Sequence, residues 1–96
     1  MPAQLIVDTK LHDPEVYEEY KALVRPLVER MGGTYRARGD RIEVVESDLW
    51  SPTRIVIIEF PTWDAAKAFL DSPEYAPIKK LRHANADSTV VLVETI

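Results

Sequence analysis

The chain has no cysteine. That single absence removes disulfides, thiolate nucleophiles and zinc–thiolate sites together. It has only two histidines, His12 and His83, too few for an all-protein multi-histidine metal centre within one chain, so neither metal nor cofactor is expected. The three glycines, Gly32, Gly33 and Gly39, do not compose a phosphate-cradling loop. No Gly-x-Ser-x-Gly elbow and no serine triad can be assembled. Positive charge is also scarce: 12 Lys and Arg stand against 16 Asp and Glu, a net charge of −4 with the signs interspersed. Nucleic acid needs a basic patch or stripe, so it is not expected as a partner. The local cluster Arg36, Arg38 and Arg41 is followed by Glu43, Glu46 and Asp48 and reads as a solvated strand end. No apolar run approaches the roughly 20 residues that span a bilayer. No basic segment followed by an apolar stretch opens the chain, so no signal peptide or membrane partner is expected and the cytoplasm is the default.

What is present is organised around Arg54-Ile55-Val56-Ile57-Ile58-Glu59-Phe60-Pro61. β-Branched residues pack well on a pleated surface, and both faces of this run are mostly apolar, as in a central strand covered on two sides. Alternation puts Glu59 with Ile55 and Ile57, and Arg54, Val56, Ile58 and Phe60 on the other face. A carboxylate inside such a strand needs a partner or water.

Gln4 to Thr9 reads as a first strand. Asp13-Pro14-Glu15 opens a helix, with Asp13 as N-cap, Pro14 at the first helical position and Glu15 complementing the dipole. Val16, Tyr20, Leu23, Val24, Leu27, Val28 and Met31 form its apolar stripe, Pro26 predicts a kink, and Gly32-Gly33 ends it. Thr34 to Arg38 is a second strand, broken or bulged at Gly39-Asp40 and continuing extended from Ile42 to Glu46. Ser47 to Pro52 is turn chemistry around an apolar plug. Pro61-Thr62 caps a second helix over Trp63 to Leu70, with Trp63, Ala66, Phe69 and Leu70 as its buried side. Ser72-Pro73-Glu74 starts a third, shorter helix with Tyr75, Ile78 and Leu81 inward and its first turns disturbed by Pro77. Thr89 to Ile96 is the last strand.

The order β-α-β-β-α-β over 96 residues, read as one domain spanning 1–96, is the ferredoxin-like α+β arrangement: a four-stranded antiparallel sheet with the long helices on one face. A domain this small buries only about 60–65% of its unfolded surface. The central and last strands are apolar on both faces, so the open sheet face should not be wet. Two copies closing face to face into a barrel would bury it, which predicts a homodimer.

Gly32-Gly33 with Tyr35, Arg38-Gly39, Pro52-x-Arg54, the run ending Glu59-Phe60-Pro61, Ala65-Ala66, Ser72-Pro73-Glu74-Tyr75 and Leu81-Arg82 together resemble the domain-of-unknown-function 1330 family of the dimeric α/β-barrel superfamily. The resemblance runs from the first strand to the last; Asp40 stands where that family often has glycine. It implies the ferredoxin-like fold and a homodimer but no assigned activity. Relatives in the wider superfamily include cofactor-free monooxygenases, haem-degrading enzymes, dehydratases and isomerases, and fold does not decide among them.

The candidate site residues each carry two readings. Glu59 is a general acid or base in a half-buried pocket with its pKa raised by desolvation, or a carboxylate paired with Arg38 from the second strand; such a pair at a pocket mouth could also hold a polar ligand. Tyr20, with Tyr17 near the stripe's edge, donates a hydroxyl to a ligand oxygen or is core with its hydroxyl at the rim. His83 shuttles protons with Asn85 or Asp87 as orienter, or it and Arg82 complement the helix dipole. A haem-proximal role for His83 has little behind it, and His12 is a loop residue. Trp50 and Trp63 wall or lid a pocket, or plug the core or a dimer contact. The leading expectation is a homodimeric small-molecule-binding protein or cofactor-independent enzyme, with Glu59 and His83 as acid–base groups and Arg38, Tyr20, Arg82 and Trp50 contacting ligand. The alternatives are a non-catalytic dimerisation or regulatory module and, more weakly, a monooxygenase-like or metal- or haem-using oxygenase.

Overall fold

A computed structural model describes residues 1–38 and 41–96. The elements run β1 (Ala3–Leu11), α1 (Pro14–Arg30), β2 (Thr34–Ala37), β3 (Ile55–Phe60), α2 (Trp63–Leu70), α3 (Tyr75–Asn85) and β4 (Ala86–Glu94). The strands form one antiparallel sheet in the order β2-β3-β1-β4, the ferredoxin-like topology. β1 and β3 are the inner strands, and the helices cover one face of the sheet.

Local chemistry sets the helix ends. Asp13 Oδ1 accepts from the backbone N–H groups of Glu15 and Val16 at 3.1 and 3.3 Å, and Pro14 occupies the first helical position. Thr62 Oγ1 accepts from Ala65 N–H at 3.0 Å and caps α2. The two glycines after α1 do different work. Gly32 has φ +94°, the left-handed conformation that closes a helix. Gly33 is needed for space: a Cβ there would lie 2.6 Å from Val28 Cγ1 and 3.0 Å from Phe60 Cζ. α1 continues through Pro26, and Pro77 lies in the first turn of α3, where no intrahelical N–H bond is owed.

The core lies between the helices and one face of the sheet, built from Leu5, Val24, Leu27, Val28, Ile58, Phe60, Ala66 and Phe69 with three tyrosines, Tyr17, Tyr20 and Tyr75. Tyr17 is fully part of it rather than at its edge, whereas Leu23 and Trp63 face outward. The helix-side stripe of α1 is therefore rotated by part of a turn from the one predicted. Among the described residues, 42–46 are irregular and exposed rather than strand. Among the described residues β2 pairs with β3 only as far as Ala37–Ile57, whereas β1 pairs with β3 along the whole length of β3. The break expected at Gly39-Asp40 lies outside the described residues. Among the described residues no helix is long and apolar enough to cross a membrane.

Candidate functional site

A cavity of about 510 Å³ opens between the helices and the sheet. Its floor is apolar: Leu5 and Val7 of β1, Val56 and Ile58 of β3, and Val90 of β4. These residues share one sheet face because the registers Leu5–Ile58, Val7–Val56 and Val7–Val90 keep them in phase. Tyr17, Tyr20 and Val24 of α1 form one wall, and Phe69 with Tyr75 and Arg82 of α3 closes the inner end.

Polar groups collect at that inner end. The hydroxyls of Tyr20 and Tyr75 lie 3.3 Å apart. One phenolic proton can bridge the pair, and the other remains for a third acceptor. Burial, reinforced by Tyr75, pushes the Tyr20 phenol far above its ordinary range, so it stays protonated and acts as a donor. Arg82 is 5% exposed, and its Nε has no acceptor among the described residues. Among the described residues a terminal nitrogen of Arg82 lies 3.4 Å from His83 Nε2. No carboxylate among the described residues pairs with Arg82. Arg82 is drawn inward by helical spacing: Tyr75, Ile78 and Arg82 lie three and four residues apart on one face of α3. In the more exposed part of the lining the Arg54 guanidinium lies 6.0 Å from the Tyr17 ring centroid and that of Arg38 5.0 Å from Tyr35. Burial raises the Tyr35 phenol as well. The lining carboxylate among the described residues is Glu18, which pairs with Lys21 at 2.7 Å.

Of the predicted site residues, the fold brings Tyr20, Arg82 and Arg38 to this cavity and keeps Glu59, His83 and Trp50 away from it. Glu59 faces the open side of the sheet. Arg36 donates to its Oε2 at 2.9 Å and Gln4 Nε2 to its Oε1 at 3.1 Å, so Arg36 and not Arg38 is its partner. The reason is a register shift in β2 between Tyr35 and Ala37, which makes Arg36 the extra residue of a bulge. Arg36 stays on the face of Thr34 and Glu59, while Arg38 passes to the face of Tyr35. The hydrogen bond from Arg36, and then that from Gln4, holds the Glu59 carboxyl below its ordinary value; the expected rise by desolvation is reversed. His83 is exposed, and the orienters proposed for it are engaged elsewhere: Asp87 with His12 at 3.0 Å, and the Asn85 side chain with the Leu81 carbonyl at 2.9 Å.

Trp50 donates its indole N–H to Asp8 Oδ2 at 2.8 Å, and Asp8 Oδ1 accepts from the N–H groups of Thr53 and Arg54 at 2.8 and 2.9 Å. Trp50 therefore anchors the loop before β3 instead of walling the cavity. Burial alone would raise Asp8, but these donors together hold it below its ordinary value. Asp8, Tyr75 and Arg54 were not among the expected site residues. A carboxylate in the strand Gln4-Leu5-Ile6-Val7-Asp8 was a signal of the same kind as Glu59.

The domain of unknown function DUF1330 matches residues 2–96. The chain belongs to the DUF1330 family. No curated protein matches it. Among solved structures, this DUF1330 chain is similar to a Rhodopseudomonas palustris protein of unknown function, at 21% identity and TM-score 0.78 over 99% of this chain and 82% of that one. It is similar to SnoaB of Streptomyces nogalater, a cofactor-independent oxygenase, at 18% identity and TM-score 0.71 over 99% and 93% of the two chains. A dimeric ferredoxin-like protein of unknown function from Jannaschia sp. matches at 16% identity and TM-score 0.72, over 99% of this DUF1330 chain and all of the other. At these identities the likeness is one of fold.

Proposed function

We propose that this DUF1330 protein is a homodimer that binds a small molecule in the cavity between its helices and sheet. The observation that carries the reading is the inner end of that cavity, where a buried Arg82 with no carboxylate partner among the described residues stands beside the Tyr20–Tyr75 hydroxyl pair. An apolar pocket with a few converging polar groups is the usual form of a ligand site, and a buried cation without a partner is costly to keep. The described lining offers donors and cations, with its one carboxylate already paired. It suits holding a ligand better than abstracting a proton. Catalysis by Glu59 would have to occur on the opposite sheet face, and the oxygenase reading that SnoaB invites rests on fold, which hosts many chemistries.

The dimer follows from the open face. Ile6, Ile55 and Ile57 are only half-buried there, and Val91 and Val93 are each 42% exposed. By register these residues form a contiguous apolar surface beside the Arg36–Glu59 pair, the kind of surface that soluble monomers rarely expose. Native mass spectrometry of the purified protein tests both halves of the proposal. A dimer that carries small-molecule mass and loses it in the Tyr20→Phe, Arg82→Met variant is the expected result. A monomer without any affinity for apolar small molecules overturns it.

A further inference from the structure

Resting on the ligand-binding reading above, we infer that the cavity selects an apolar carboxylate. The headgroup is held by Arg82 and the free phenolic proton of the Tyr20–Tyr75 pair, and the hydrocarbon body lies over Leu5, Val7, Val56 and Ile58.

Charge, shape and surroundings point the same way. Arg82 is at least nine-tenths buried, its Nε lacks an acceptor among the described residues, and it lines the inner end of the cavity. A guanidinium presents paired N–H groups in a planar fork that matches the two oxygens of a carboxylate. The neighbouring hydroxyls add a donor without adding charge, since burial keeps Tyr20 in its neutral form. One buried cation is balanced by one negative charge, whereas a phosphate dianion would leave uncompensated charge in an apolar pocket. Arg38 and Arg54 sit over tyrosine rings in the more exposed part of the lining. There they raise the local concentration of anions without contacting the headgroup. The apolar floor excludes a small hydrophilic acid as the preferred ligand, because the floor gains only from burying hydrocarbon.

Calorimetric titration of the full chain with 4-phenylbutyrate and octanoate, against 4-phenylbutanol and octan-1-ol, tests this. The carboxylates should bind at least tenfold more tightly than the matching alcohols, and acetate and inorganic phosphate should not compete. The preference should vanish in Arg82→Met, whose fold is checked by thermal melting. It should persist in weakened form in Arg82→Lys, which keeps the charge and loses the fork. Equal binding of acid and alcohol, or a preference unchanged in Arg82→Met, overturns carboxylate selection and leaves the cavity as a binding site. No binding of either series overturns carboxylate selection and the small-molecule reading with it.

Discussion

Replacing Arg82 by methionine should make the protein more stable. Arg82 is 5% exposed, and its Nε has no acceptor among the described residues. A buried donor left unpaired costs about 1–3 kcal/mol. Methionine has an unbranched, flexible chain, so it can take the place of the arginine stem without a donor to satisfy. The weak contact to His83 at 3.4 Å is lost at little cost because His83 is exposed. The expected gain is therefore about 1–3 kcal/mol. For a domain of this size each kcal/mol moves Tm by about 4–8 °C, so calorimetry should show an upward shift of roughly 5–20 °C. The measurement must be made on ligand-free protein at one fixed concentration, since ligand and dimerisation both add to apparent stability. A loss of 1 kcal/mol or more, in a variant that still folds, would refute the reasoning. Arg82 would then be satisfied in the native state, and its burial would be structural.

Gly33→Ala should destabilise by about 1–3 kcal/mol in urea titration, because the new methyl overlaps Val28 and Phe60; Gly32→Ala tests a different cost, that of φ +94°. Val91→Asp on the open sheet face should turn a sedimenting particle of twice 11.0 kDa into one of 11.0 kDa at micromolar concentration; a variant that remains dimeric would move the interface elsewhere. Asp8 titrates below its ordinary 3.8 in the folded chain. The unfolded chain thus binds more protons in that window, so the stabilisation is complete above about pH 4 and disappears as pH falls through the folded value. Asp8→Asn should flatten the acid limb of stability against pH, followed through Trp50 fluorescence, and leave the remainder that Glu59 contributes in the same direction.

Much of this molecule is local and therefore legible along the chain. Asp13-Pro14, Thr62 and Gly32-Gly33 place the helix ends through hydrogen bonds and backbone angles within a few residues. The alternation of β3 separates Ile58 and Phe60 from Ile57 and Glu59, and the element order leaves few topologies besides the ferredoxin-like one. The candidate site was legible only in part. Tyr20 was placed by its helical spacing, and Arg82 was named as a ligand contact with a helix-dipole role as its other reading, but its burial was not foreseen. Tertiary structure decided the rest, because it depends on registers and rotations that no short window contains. Alternation kept Arg36 on the face of Glu59, and a single shift between Tyr35 and Ala37 sent Arg38 to the cavity face. A partial rotation of α1 brought Tyr17 in and turned Leu23 out. The packing of α3 across α1 set Tyr75 against Tyr20 and drew Arg82 inward, so that groups 55 and 62 positions apart meet at one end of one pocket. Partners so distant in the chain are chosen by which faces the folded elements bury together, and that choice is made by the whole sheet and its helices at once.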